Sequence, residues 1–220
     1  LIQGEDGIFT SDAALPTYET DGILTHKVDN GTEGTSRIKT SHPGVTGSGA
    51  RTMAAWLDYS GGGSETMMGH GTNASLQRWD WALESGDIAI RINAAFIVFD
   101  SNVSARVLHC ATRYPEGGNI TDLTGYVDGV SQPVGSEVAG VPNTTLGVNV
   151  VIGNRTSEVA TFSNAIGEFR IYDIAVNPDI IRLMWEPPTR WDLYYELGRV
   201  FYSVPAVVAV GNPWHVYAPQ

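Results

Sequence analysis

The chain has 220 residues, 42% of them hydrophobic and only 17% charged, so it can bury a sizeable core and is not composed like a disordered segment. Its formal net charge is −11, with 11 Arg and 2 Lys, and such an acidic surface repels phosphate backbones, which argues against nucleic acid as a partner. The longest apolar run, residues 204–210, contains Pro205 and falls far short of the roughly 18 residues a membrane-spanning helix needs, so membrane insertion is not expected.

Alternating segments dominate the chain. Residues 51–59 read as a strand. In Trp79-Asp80-Trp81-Ala82-Leu83-Glu84, Trp79, Trp81 and Leu83 share one face, with Asp80 and Glu84 on the other. A Ser85-Gly86-Asp87 turn leads to Ile88, Ile90 and Ile92 in the same alternation, which suits a hairpin. Further strands are expected at 95–100, 107–114, 124–127, 149–152 and 166–172. Loops rich in Gly, Ser, Asn and Pro separate them at 60–64, 115–119 and 134–145. Asn177-Pro178 opens a short helix running to Trp185: Asn can cap it, Pro fits the first helical position, and Pro187-Pro188 stops it. Many short strands with regular turns predict an all-β, two-sheet antiparallel sandwich with one short helix near the C-terminus. Residues 1–188 form the expected domain. Residues 189–220, where the composition shifts, form an extension that packs on the sandwich or on a neighbouring subunit.

Candidate chemistry is sparse. Cys110 stands alone, so no intrachain disulfide or cysteine zinc site is expected, and it reads as a small buried hydrophobe. The five histidines show no zinc-binding spacing, and Ser60-Gly61-Gly62-Gly63-Ser64 lacks the nucleophile-elbow pattern. A retaining glycosidase needs two carboxylates about 5–5.5 Å apart. Alternate residues of one strand share a face, and only Glu19-Thr20-Asp21 has that spacing. Six Asn-x-Ser/Thr sites occur, at Asn30, Asn73, Asn102, Asn119, Asn143 and Asn154; they matter only in a eukaryotic secretory pathway.

Five motifs in order carry a resemblance. The strand Arg51-Thr52-Met53-Ala54-Ala55-Trp56-Leu57 is similar to the opening core strand of laminin G-like, pentraxin-like jelly rolls. Leu108-His109-Cys110-Ala111-Thr112-Arg113-Tyr114-Pro115 is similar to that family's central strand, with Leu108 in place of Trp and Cys110 in place of Val. Tyr126-Val127-Asp128-Gly129 matches its hairpin, Val151-Ile152-Gly153 its next strand, and Ile166-Gly167-Glu168-Phe169-Arg170-Ile171-Tyr172-Asp173 its closing strand. The chain thus resembles a laminin G-like, concanavalin A-like domain, and its tail resembles segments that follow such domains in phage and environmental viral proteins.

The resemblance implies a non-catalytic module that binds carbohydrate or a cell or virion surface, at the sandwich rim or on the concave sheet, in an extracellular or virion setting. Trp79, Trp81, Tyr194 and Trp214 are the candidate sugar-stacking residues; for Trp79 and Trp81, whose face includes Leu83, core packing is the competing role. The resemblance also admits calcium, a metal that prefers oxygen ligands, with Asp29, Asp128 and Glu168 as candidate ligands. For Asp128-Gly129 a plain hairpin turn is the competing reading. The alternatives are a viral decoration protein whose tail assembles with copies of itself or with other virion proteins, and, ranked last, a glycan-cleaving enzyme.

Overall fold

The computed structural model describes residues 8–10, 17–19, 27–29, 37–61, 63–154, 162 and 164–186, with backbone alone for 8–10, 17–19, 27–29 and Arg37. In chain order the strands are β1 (Ile8–Thr10), β2 (Thr17–Glu19), β3 (Lys27–Asp29), β4 (Arg37–Lys39), β5 (Arg51–Tyr59), β6 (Ser64–Gly71), β7 (Arg78–Glu84) and β8 (Asp87–Arg91). Then come β9 (Phe96–Phe99), β10 (Arg106–Tyr114), β11 (Thr124–Val127), β12 (Val130–Ser131), β13 (Val134–Val138), β14 (Val151–Ile152), β15 (Ala165–Tyr172) and the helix α1 (Pro178–Trp185).

They form two antiparallel sheets. One runs β1-β4-β14-β6-β7-β8-β9-β13, the other β12-β11-β10-β5-β15-β3-β2. The strands expected from alternation appear within a residue or two of their expected bounds. The turn after β7 is the two-residue pair Ser85 (φ +55) and Gly86 (φ +93), with Asp87 already paired opposite Glu84. Positive φ at both central residues matches the right-handed twist of a hairpin.

Packing follows the two-residue period of the strands. Met53, Ala55 and Leu57 of β5 and Leu108, Cys110 and Tyr114 of β10 face Trp79, Trp81 and Leu83 of β7, Ile88 and Ile90 of β8, and Ile97 and Phe99 of β9. Cys110 is fully buried, as the sequence implied, and burial pushes its thiol pKa well up, which leaves it an inert hydrophobe. On the outer face of the seven-stranded sheet, Ala54, Ala111 and Tyr126 receive Val176, Ile181 and Met184, so α1 closes a second, smaller core. Asn177 caps α1 by accepting from the Asp179 N–H at 2.8 Å, as expected.

Two expectations need correction. The loop expected over 60–64 ends a residue early, because β6 begins at Ser64. Its sequence, Ser-Glu-Thr-Met-Met-Gly-His-Gly, shows no alternation because the strand is buried on both faces and is bulged between Thr66 and Met68. The loop expected over 134–145 contains β13, an edge strand with all five residues exposed, so it has no buried face to leave an apolar period. Residues before Arg51 supply β1–β4, three residues each and too short for a periodic signal. The extension expected from residue 189 lies outside the described residues.

Ile181 is fully buried between α1 and the sheet. Replacing Ile181 with Ala is expected to cost about 2–5 kcal/mol, read as a lower urea midpoint with an unchanged slope.

Candidate functional site

The most ordered polar chemistry lies at the end of the sandwich where β5 begins and β10 and β15 end. Arg51, the first residue of β5, is completely buried there. Its Nε donates to the Gly49 carbonyl (3.1 Å), Nη1 to the Thr144 hydroxyl (3.0 Å) and Nη2 to the Gly47 carbonyl (2.9 Å). The guanidinium carbon stands 4.4 Å from the centre of the Trp79 ring and 5.7 Å from that of Tyr114, and the two rings meet edge-on at 5.5 Å. Burial lowers the Arg51 pKa to about 10, which still leaves it charged at neutral pH. One cation thereby joins an aromatic pair from the two sheets to two loops, which also meet through the Gly47–Thr144 bridge.

His70 does similar work beneath the loop at 42–46. It is fully buried at the end of β6, with Nε2 3.2 Å from the Val45 carbonyl. Gly44 (φ +78) lies so close that a Cβ there would collide with the His70 ring. Burial, reinforced by the charge of Arg51, lowers the His70 pKa to about 3, so it is neutral. With the Nε2 proton donated to Val45, the ring acts as a rigid spacer.

Between this loop and the end of β15 lies a recess of about 250 Å³, lined by His42, Gly44, Val45, Thr46, Ile171 and Asp173. Ile171 packs against the main core and forms a fixed apolar wall. Asp173 follows β15 immediately and is exposed; the next residue but two is held when the Val176 N–H donates to the Thr52 hydroxyl (2.9 Å), which itself donates to the Ile174 carbonyl (2.9 Å). The Nδ1 of His42 accepts from the Gly44 N–H at 2.9 Å. The recess therefore presents an imidazole, a carboxylate, a hydroxyl and an apolar wall on anchored elements.

The residues singled out from sequence lie elsewhere. Trp79 and Trp81 are both 0% exposed in the core. The face they share with Leu83 is the inward one, so neither offers a ring to a sugar. Tyr194 and Trp214 lie outside the described residues. Asp128 (φ +49) and Gly129 (φ +75) form the turn between β11 and β12, and the Asp128 carboxylate accepts from the His109 N–H (2.9 Å) and pairs with Arg106 at 2.5 Å. Glu168 (φ +49) sits at the bulge of β15 and pairs with Arg170 at 3.3 Å.

Asp29 ends β3, four strand spacings from β11, or about 19 Å at ~4.8 Å per spacing. Calcium gathers its oxygens at roughly 2.3–2.6 Å from one point, so Asp29, Asp128 and Glu168 do not make one calcium site. No cluster of three or more His, Cys, Asp or Glu placed to hold a metal occurs among the described residues. Of the glycosidase-like pair, Glu19 is the last residue of β2 and Asp21 lies outside the described residues.

A family model described as the concanavalin A-like lectin/glucanases superfamily, Laminin_G_3, matches residues 30–182. The chain belongs to that family. The match takes in all five ordered motifs, and this laminin G-like domain finds its structural counterparts among jelly rolls. Domain 4 of AbnA, a GH43 extracellular arabinanase from Geobacillus stearothermophilus solved with arabinotriose, is similar over 82% of this chain and 88% of that one, with TM-score 0.63 and 16% identity. The heptameric SAP-like pentraxin of Limulus polyphemus is similar over 76% and 84%, with TM-score 0.53 and 13% identity. The binding domain of botulinum neurotoxin serotype D is similar over 84% of this chain but 47% of that one, with TM-score 0.53 and 10% identity. A comparison with curated protein sequences finds no match.

The neutral His70 sets a pH dependence. Between about pH 6.5 and about 3 the unfolded chain takes up a proton that the folded His70 refuses, so stability falls as pH falls, by up to about 1.4 kcal/mol per pH unit from this group. Urea titrations across that range are expected to show the decline, and a His70→Gln variant is expected to show a shallower one.

Proposed function

We propose that this laminin G-like domain is a non-catalytic carbohydrate-binding module, displayed on an extracellular or virion surface, that holds glycan at the end of the sandwich carrying Arg51 and His70. The observation that carries the reading is the recess. A sugar ring has an apolar C–H face and a rim of hydroxyls that both donate and accept, and the recess pairs the Ile171 and Val45 wall with an imidazole, a carboxylate and a hydroxyl. The similar arabinanase domain, solved with arabinotriose, adds that a sandwich of this layout can accommodate a short glycan.

The outer face of the eight-stranded sheet supports a binding role over a cleaving one. Its acids already have partners: Asp80 pairs with Arg78 at 2.7 Å, Glu84 takes both hydrogen bonds of Arg91, whose pKa that bond raises, and Asp87, opposite Glu84, accepts from the Ser101 N–H (3.0 Å) and the Asn102 N–H (2.9 Å). Asp80 and Glu84 stand four residues apart on β7, about 13 Å at ~3.3 Å per residue. That exceeds both the ~5–5.5 Å of a retaining pair and the ~6.5–9.5 Å of an inverting pair.

On a glycan array the whole chain is expected to bind at least one neutral glycan class saturably, with binding unchanged in Glu168→Gln, which is an ion-pair partner outside the recess. Incubated with the glycans it binds, the chain is expected to release no new reducing ends. Release that disappears in Glu19→Gln or Glu84→Gln would make it an enzyme and overturn the reading.

A further inference from the structure

We infer that the recess takes one neutral sugar residue at the end of a glycan chain, gripping two neighbouring hydroxyls between Asp173 and His42. The inference rests on the glycan-binding reading above and deepens it.

The two grips differ in polarity. Because the Gly44 N–H donates to Nδ1 of His42, the proton of the neutral ring sits on Nε2, which makes His42 a fixed donor. The Asp173 carboxylate only accepts. Each hydroxyl of a vicinal diol has one proton to give and lone pairs to receive, so one such pair meets a donor on one side and an acceptor on the other. The Thr46 hydroxyl, on the same wall as His42, can serve in either sense.

The recess is sized for one ring. A volume of about 250 Å³ equals roughly eight water molecules at ~30 Å³ each. That is room for a single ring with its solvation. Behind it lie Ile171, packed on the main core, and Gly44, backed by the buried His70. A residue inside a glycan chain needs an exit on each side for its two glycosidic bonds, whereas a terminal residue needs only one.

Charge and stiffness complete the case. An exposed carboxylate in a chain of net charge −11 repels uronates, sulfated sugars and other anions. Both grips are ordered before a ligand arrives, the loop by His70 and the Gly47–Thr144 bridge, the segment after Asp173 by Thr52. Little ordering cost then falls on binding.

The test uses calorimetry on the whole chain with methyl glycosides of neutral pentoses and hexoses, methyl glucuronide, and whichever oligosaccharide the array identifies. At least one neutral methyl glycoside is expected to bind and to compete with the oligosaccharide, while methyl glucuronide binds far more weakly. Asp173→Asn is expected to weaken the neutral ligand about tenfold, the loss of a charge-assisted hydrogen bond. It should also narrow the gap to methyl glucuronide and leave the melting temperature unchanged, because Asp173 is exposed. His42→Ala is expected to weaken the same ligand. If the oligosaccharide binds Asp173→Asn as well as the parent chain and no methyl glycoside competes, the recess is not the site, although glycan binding stands. If no glycan on the array and no methyl glycoside binds, the glycan reading fails and this inference fails with it.

Discussion

The buried guanidinium of Arg51 is the constraint on which this end of the molecule depends. Removing such a charge from water is costly, and here a carbonyl pair, a hydroxyl and the faces of two aromatic rings offset the cost. These acceptors come from segments far apart in sequence: the loop before β5, the loop before β14, and aromatic residues on β7 and β10. None can shift alone without stranding a donor on a charged group. The cation is thus satisfied only when both sheets and both loops are in register, which makes it a checkpoint for the rim as well as a support.

How much of this could be read from sequence follows from geometry. β7 and β8 were legible because polar and apolar side chains alternate along them, whereas β5 and β10, buried on both faces, were legible from the ordered motifs they carry. The helix was legible from Asn177-Pro178, since capping is local chemistry. β6 was not, because burial on both faces and a bulge erase the period. β13 was not, because an edge strand exposed throughout has no period to show. The recess escaped sequence reading for another reason. His42 and Asp173 sit at opposite ends of the recognisable domain, and only the antiparallel return of β15 to the start of β5 brings them together. The residues that did attract notice were conspicuous by type: tryptophans that the alternation turned inward, and acids such as Asp128 in a turn and Glu168 at a bulge, whose positive φ and arginine partners already account for them.

The two sheets use their outer faces differently. The seven-stranded sheet uses its outer face for α1 and a second core, with the Trp56 and His109 rings meeting at a tilt across neighbouring strands, 5.5 Å apart, nearby. The eight-stranded sheet carries instead the Arg78–Asp80 and Arg91–Glu84 pairs, and Arg91, although opposite Asp80, reaches along the strand to Glu84 past Ala82 and Ala89.

The attachment of α1 bears on how the domain would respond to mechanical load. Beyond its apolar contacts, the segment leading into the helix is tied to the sheet through side chains, with Thr52 holding Ile174 and Val176 and Arg113 donating to the Val176 carbonyl. Tension applied through whatever follows residue 186 would load these ties one after another, as in peeling. The strand ladder, whose bonds would have to shear together, would be spared. The helix would therefore act as a mechanical fuse, yielding at low force while β15 stays paired to β5 and the recess keeps its shape.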